Sequence, residues 1–269
     1  MNWKKYIFIF FCILMIIVLF RKNKKEGFES NVKSFITKNN DNIYDEFYCD
    51  NYDTIMKDNK RTIFEISHLI KYGKLNANSS VLDIGSGTGH HVCELKKNDF
   101  KVIGIDISKY MVKKAKKNYP ECDFVQGSIN DSFVFLPSTF SHITCFYYTI
   151  YYIKDKSLFF DNCKKWLQPG GYIMLHLIDN DTFEYKNKKI KNDTFCYRNE
   201  FHLSGNQGTL SEIFNYTTGE VRQNEHKLYM THYKDIIKMA KSKGIQIHKK
   251  IEMESCNYKN HYLFVLYIP

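Results

Sequence analysis

The sequence predicts an α/β fold, a doubly wound and mostly parallel sheet with helices on both faces. Two observations carry this prediction. Residues 81–84, which are apolar except for Asp83, run into a glycine-rich turn and then into a segment with helical spacing. This is the first half of a β-α-β unit. A second buried strand follows at 102–106, and strand and helix patterns alternate onward from it. Such alternation is typical of parallel sheets, because each crossover connection uses a helix.

Composition limits the class of partner. The chain has 269 residues and a formal net charge of +10. Six positive charges precede the first acid, so the rest of the chain carries only +4. The six N-terminal charges belong to Lys4, Lys5, Arg21, Lys22, Lys24 and Lys25. A nucleic-acid partner needs a concentrated basic face and is therefore not expected. The eight cysteines are widely spaced without a C-x-x-C pair, so neither disulfides nor a metal site is predicted.

Residues 1–25 are predicted to be a single-pass membrane anchor. An unbroken apolar run of fifteen residues, 6–20, lies between two basic segments. A span needs about 20 residues, and snorkelling lysines can make up the difference. The alternative is a cleaved signal peptide, which the absence of small residues at a cleavage site disfavours. Because the C-terminal flank is the more basic, the rest of the chain is expected on the cytosolic side of the membrane.

Residues 26–41 are polar and are interpreted as a linker, and 42–269 as one folded domain. The segment 42–75 has helical spacing, and Tyr44, Tyr48 and Tyr52 recur on one face of it. That face either covers a ligand or packs on the domain. The elements that follow the first two strands are predicted as helix 109–118, strand 122–127, strand 141–146, helix 156–167 and strand 172–178.

Residues 182–230 differ from the rest of the domain. They are polar, alternate in the manner of strands and contain a turn at Gly219, so a small antiparallel β insertion is predicted. A helix at 233–243 then stops at Gly244. A strand pair, 245–247 with 262–268, closes the chain.

Two motifs point to a family. The turn has the form D-x-G-x-G-x-G from Asp83 to Gly89, and Asp106 ends the next strand seventeen positions later. With the helix-ending passage L-Q-P-G-G at 167–171, this resembles the class I S-adenosylmethionine-dependent methyltransferases. The resemblance covers about residues 42–268 and implies a seven-stranded sheet with an antiparallel closing strand. A nicotinamide-dependent oxidoreductase is disfavoured, because its fingerprint needs Gly or Ala where His90 stands.

The resemblance implies S-adenosylmethionine as the cofactor, with Asp83 near its methionine amino group and Asp106 on its ribose. Where the family usually has an acid after Gly127, this chain has Ser128, so the adenine contact is assigned to Ser128 or to Ile129. The cofactor-binding residues so implied are Asp83, Gly85, Ser86, Gly87, Gly89, Asp106, Ile107, Met111, Ser128, Ile129 and Phe146.

Three residues near the carboxyl ends of strands are candidates for catalysis, because ligands bind at that edge of an open α/β sheet. They are His176, Asp179 and Tyr147. A base at this edge would assist the acceptor, whereas a histidine inside a strand is more often a buried core residue with satisfied hydrogen bonds. The resemblance otherwise implies catalysis by orientation of cofactor and acceptor.

The sequence therefore predicts a membrane-tethered methyltransferase that acts on a small-molecule or lipid-like acceptor. Two alternatives stay open. In the first, the acceptor is a protein at the membrane. In the second, the domain is degenerate and serves as a membrane-anchored binding or scaffold partner.

Overall fold

The computed structural model describes Trp3 and residues 34–269. The predicted anchor at 1–25, apart from Trp3, and the first part of the predicted linker lie outside the described residues. Among the residues described, no helix is long and apolar enough to span a membrane.

The strands and helices alternate in the order that the sequence predicts. The helices are α1 Glu46–Met56, α2 Asn59–Gly73, α3 His90–Lys97, α4 Lys109–Asn118, α5 Thr149–Tyr152, α6 Lys156–Trp166 and α7 Tyr233–Ser242. The strands are β1 Phe35–Asn39, β2 Ser80–Ile84, β3 Lys101–Asp106, β4 Asp123–Gln126, β5 Phe140–Cys145, β6 Leu167–Ile178, β7 Lys189–Lys191, β8 Phe195–Ser204, β9 Gln207–Tyr216, β10 Val221–Tyr229, β11 Gln246–Glu252 and β12 His261–Tyr267.

The larger sheet has seven strands in the order β4-β3-β2-β5-β6-β12-β11. The neighbouring strands β4, β3, β2, β5 and β6 pair in parallel, whereas β12 runs antiparallel to both β6 and β11. The mostly parallel α/β fold predicted from the sequence is thereby confirmed.

Helices cover both faces of this sheet, because its strands are apolar on both sides. Val81 and Leu82 are adjacent in β2 and fully buried, yet they belong to different core clusters. Successive side chains of a strand point to opposite faces. Helices α2, α3 and α4 pack with Val81, and α6 and α7 pack with Leu82.

The second sheet has five strands in the order β1-β10-β9-β8-β7. Strands β8, β9 and β10 form the antiparallel meander predicted within 182–230. Strand β1, Phe35–Asn39, lies in the segment interpreted as a linker and pairs in parallel with β10. Its side chains are nearly all exposed, so the segment has no apolar pattern that would have predicted a strand. The linker interpretation is corrected for these five residues.

The passage after α6 also differs in detail from the prediction. Helix α6 ends at Trp166, close to its predicted end, but β6 begins at once and includes the helix-ending passage 167–171, which was predicted to precede the strand. Its pairing with β5 shifts register between Phe140 and His142. Gly170 has a φ of +82°, a backbone conformation that favours glycine. The glycines therefore form an irregularity within the strand instead of a separate turn.

Candidate functional site

The acid predicted to bind ribose is held by the glycine turn itself. The backbone N–H of Gly87 donates to Oδ2 of Asp106 at 2.9 Å, and that of Ser108 donates to Oδ1 at 2.9 Å. A carboxylate oxygen can accept two hydrogen bonds, so each oxygen keeps a position for a further donor. Burial raises the pKa of Asp106, and the two N–H donors oppose that rise. The arrangement fits the two hydroxyls of a ribose.

The glycines of the turn have different surroundings. Gly87 has a φ of +53°, and the only heavy atom near a Cβ built on it is a ring carbon of Tyr52 at 3.8 Å. A side chain at this position would therefore extend into open space of the cavity. Gly89 has a φ of +92°, and its Cβ would lie 2.6 Å from the Phe124 ring. Gly89 lies outside the cavity lining, so the structure gives it a packing role in place of the predicted cofactor contact.

A cavity of about 590 Å³ opens over this turn at the carboxyl ends of the parallel strands. Binding pockets for small molecules have volumes of about 300 to 1,000 Å³. Ten of the eleven residues predicted to bind the cofactor line it. They are Asp83, Gly85, Ser86, Gly87, Asp106, Ile107, Met111, Ser128, Ile129 and Phe146.

Asp83 lies at the inner end of the cavity and is nearly fully buried. Its Oδ1 accepts a hydrogen bond from Thr144 Oγ1 at 2.7 Å. Burial raises the pKa of Asp83 to about 6. A bound ammonium group would favour the ionised form of this carboxyl group, because a nearby positive charge stabilises it.

Helix α1 covers the glycine turn. Asp53, on α1, accepts a short hydrogen bond from the Thr88 hydroxyl and lies 3.1 Å from His90 Nε2. The predicted helical segment 42–75 is divided into a 3-10 helix, α1 and α2. Tyr48 and Tyr52 lie on α1 and Tyr44 just before it, and all three line the cavity.

Tyrosines form much of the rest of the cavity wall. Those that line it are Tyr44, Tyr48, Tyr52, Tyr147, Tyr148, Tyr152, Tyr185 and Tyr229. Burial raises the pKa of Tyr44, Tyr48 and Tyr152 well above the usual value. These side chains are therefore neutral hydroxyls at physiological pH and can both donate and accept hydrogen bonds.

Tyr147, a predicted catalytic candidate, lies at the cavity wall with a strained backbone. Its φ is +52°, which costs energy for a residue with a side chain. The Arg61 guanidinium lies over its ring at 3.8 Å from the centroid, and Arg61 also donates to the Tyr258 hydroxyl at 2.9 Å. The ring is thus fixed by a cation–π contact from α2.

The other two catalytic candidates lie outside the cavity. His176 is fully buried, with Nδ1 2.8 Å from Oε1 of Glu65 and Nε2 2.8 Å from Nδ1 of His261. Its position in β6 directs it toward α2, so it belongs to the core. Asp179 lies 3.9 Å from Nε2 of His232, away from the cofactor turn. The structure therefore gives neither residue access to the cavity.

Glu65 organises a buried polar network beside the site. It is fully buried, and its two oxygens bond to His176 and to His91 at 2.8 and 2.7 Å. Burial acts against the charged form, but the hydrogen bonds from both histidines and the charge of Arg61 hold the pKa of Glu65 well below its usual range. His91 lines the cavity and lies against Phe146, with 4.7 Å between ring centroids. The network thus connects the core to the cavity.

The sequence analysis did not identify the polar residues that the insertion brings to the tyrosines. Glu212 of β9 and His226 of β10 are buried next to Tyr152 of α5. One signal was available, because Glu212 alternates with Leu210 and Phe214 on the inward face of β9. A charged residue on an apolar face indicates a role that core packing does not explain.

The chain is similar in sequence to known proteins. The sequence model of the methyltransferase domain family matches residues 75–252. A dTDP-3-amino-3,4,6-trideoxy-alpha-D-glucopyranose N,N-dimethyltransferase from Streptomyces venezuelae is 26% identical over 136 residues, 49% of this chain and 54% of that protein. A dTDP-4-amino-2,3,4,6-tetradeoxy-D-glucose N,N-dimethyltransferase from Saccharopolyspora spinosa is 29% identical over 140 residues, 49% of this chain and 55% of that protein. The chain thus spans about half the length of these relatives.

The fold is also found in solved structures. One is the S-adenosylmethionine-bound amino pentose methyltransferase CalS10 from Micromonospora echinaspora, with a TM-score of 0.65 and 17% identity. The likeness covers 85% of this chain and 99% of that one. At this identity the likeness supports the fold.

Proposed function

Because the chain belongs to the methyltransferase domain family, we propose that it is a class I S-adenosylmethionine-dependent methyltransferase and that it methylates an amine nitrogen of a small molecule of the amino-sugar class. The observation that carries the proposal is the single cavity that joins Asp106 to the tyrosine-lined region. Cofactor and acceptor would lie end to end in it, as transfer to a nucleophile in line with the methyl group requires.

The tyrosine-lined region supports an amino-sugar acceptor. Neutral phenol hydroxyls can donate to and accept from sugar hydroxyls, and aromatic faces attract a cationic amine. The two amino-sugar N,N-dimethyltransferases found by sequence favour this class over a lipid-like acceptor. A protein acceptor remains the alternative if no small amine is methylated.

Within this proposal, the residues of the chain bind and orient. When bound, S-adenosylmethionine supplies a methyl group that is already activated by its positively charged sulfur. Asp106 would accept from the ribose hydroxyls and Asp83 would pair with the amino group. Ile107 and Met111 would contact the adenine, with Ser128 or Ile129 at its edge. Helix α1 would exclude water from the reacting atoms, which strengthens the electrostatic contacts inside the cavity.

The proposal is tested by supplying the full-length protein with S-adenosylmethionine and the two amino sugars that those relatives are named for. Mass spectrometry should show the amino sugar heavier by one methylene unit, and only when cofactor and protein are both present. If S-adenosylmethionine binds but neither amino sugar is methylated, the proposed acceptor class is wrong.

We further propose that residues 1–25 anchor the protein in a membrane, with the domain 42–269 on the cytosolic side. The basic flanks and the apolar run at 6–20 support this. In fractionated cells, the full chain should sediment with membranes, whereas a chain lacking residues 1–25 should remain in the supernatant. Recovery of both in the supernatant would contradict the anchor.

A further inference from the structure

A second buried carboxylate lies beneath the tyrosines. Glu212 is fully buried in β9 and accepts four hydrogen bonds. The donors are Tyr48 and Tyr197 hydroxyls at 3.1 and 2.8 Å, the Asn224 amide at 3.0 Å and His226 Nε2 at 2.8 Å. Burial disfavours the charged form, but His226 and the other donors hold the pKa of Glu212 below its usual range. Glu212 is therefore an anion that only accepts hydrogen bonds.

This carboxylate fixes the tautomer of His226. Because an ionised carboxylate has no proton to donate, the short contact requires that Nε2 of His226 carry a hydrogen. In the neutral ring Nδ1 is then an acceptor, and it lies 3.0 Å from the Tyr152 hydroxyl. With the ring neutral, the Tyr152 hydroxyl donates to His226, which donates to Glu212.

The outer end of this chain reaches the cavity. Tyr152 lines the cavity and is 36% exposed, whereas His226 is 1% exposed. The rings of Tyr44 and Tyr48 are the other titratable groups that face His226, each with its centroid 5.9 Å away. The pKa of Tyr152 is raised well above its usual value by burial and then by the Tyr44 hydroxyl. Tyr152 is thus a neutral hydroxyl on a residue that lines the cavity, and its oxygen can accept as well as donate a hydrogen bond.

We propose that Tyr152, His226 and Glu212 form a proton relay that takes up the proton lost by the acceptor's amine. This inference rests on the proposed function. Tyr152 would be the catalytic residue that touches the amine. His226 and Glu212 act through it, His226 as the site that stores the proton and Glu212 as the group that orients and balances it, as in acid–base triads.

The proton balance is complete without another reactant. An amine that enters as an ammonium ion must lose one proton before its nitrogen has a lone pair. That proton moves to the Tyr152 oxygen while the Tyr152 proton moves to Nδ1 of His226, which gives an imidazolium paired with Glu212. The nitrogen lone pair then forms the bond to the methyl carbon, and the carbon–sulfur bond breaks with its electron pair left on sulfur. His226 later returns its proton to water.

Tyr152→Phe tests the relay, and Tyr151→Phe is the matched control. Tyr151 is adjacent in α5, and its hydroxyl accepts from the Ile178 backbone N–H at 2.8 Å, outside the cavity lining. At neutral pH, Tyr152→Phe should lower kcat for dTDP-amino-sugar methylation by about 100-fold, within the usual range for acid–base assistance. The rate should largely recover above the pKa of the acceptor's amine, where no proton need be removed. Tyr151→Phe should show neither effect.

A second variant and a measurement without turnover complete the test. His226→Gln keeps a donor for Glu212 but cannot store a proton, so it should reproduce the pH-dependent loss. In ¹⁵N-histidine NMR of the full chain, His226 should have its hydrogen on Nε2, and Tyr152→Phe should shift only its Nδ1 signal. Calorimetry with S-adenosylmethionine reports that each variant keeps its cofactor site.

The outcomes separate the relay from the proposed function. A hydrogen on Nδ1 of His226, or Tyr152→Phe and His226→Gln losses that do not shrink at high pH, would overturn the relay while methylation by the wild type still stands. If the wild-type protein binds S-adenosylmethionine but methylates neither amino sugar, the proposed function fails and the relay with it.

Discussion

Replacing Asp106 with Ala is expected to weaken S-adenosylmethionine binding by about 10²- to 10⁴-fold. The substitution removes a charged acceptor for two ribose hydroxyls, and hydrogen bonds to charged groups contribute about 1.5 to 3 kcal/mol each. It also leaves the backbone N–H groups of Gly87 and Ser108 without the partner that now holds the turn. Calorimetric titration of the full-length protein measures the change directly.

The matched control for this substitution is Asp123→Ala. Asp123 is an exposed acid at the start of the neighbouring strand β4 and does not line the cavity. Its replacement should leave the affinity unchanged, and NADH should not bind to any of the proteins. Unaltered affinity in a folded Asp106→Ala protein would show that the cofactor does not use this acid.

The part of the cavity around the glycine turn and Asp106 was predictable because its signals are local in sequence. The turn from Gly85 to Gly89 and the acid Asp106 lie within 22 residues, and parallel pairing of β2 with β3 places them at one edge. Gly89 is the exception. Its spacing matches the motif, but a Cβ built on Gly89 would point at the Phe124 ring. Only the packed structure shows this direction.

The tyrosines of the cavity and the polar residues behind them were not predictable in the same way, because distant segments bring them together. Tyr48 comes from the N-terminal segment, Tyr152 from α5 and His226 from the insertion. Their contacts depend on how the meander lies across the larger sheet, which no local pattern specifies. His176 shows the converse. Its place at the end of a strand suggested access to the ligand, whereas strand alternation directs it to α2 and Glu65.

Strand β1 was missed for a related reason. A strand that pairs at a sheet edge with exposed side chains needs only backbone partners, and its residues carry no alternation that a sequence pattern could reveal. The partner strand β10 lies about 190 residues away along the chain, as the pairing of Phe35 with Val221 shows. Long-range pairing of this kind is decided by tertiary structure.

Glu65→Ala is expected to lower the free energy of unfolding by about 3 to 5 kcal/mol, the usual cost of removing one partner of a buried ion pair. Glu65 is fully buried, and its removal leaves three nearly buried polar groups without their common partner. They are the Arg61 guanidinium at 3.7 Å, His91 at 2.7 Å and His176 at 2.8 Å. For a chain of this size the midpoint of thermal unfolding should fall by about 6 to 20 °C.

The control is Glu94→Ala on helix α3. Glu94 pairs with Lys97 at 2.7 Å, but both side chains are exposed, and surface pairs contribute only about 0 to 1 kcal/mol. Urea unfolding of both variants compares the two carboxylates directly. If the Glu65→Ala and Glu94→Ala proteins have the same free energy of unfolding, the charges around Glu65 are solvated and do not depend on it. A large difference would identify this network as the element that fixes α2 to β6 behind the cavity.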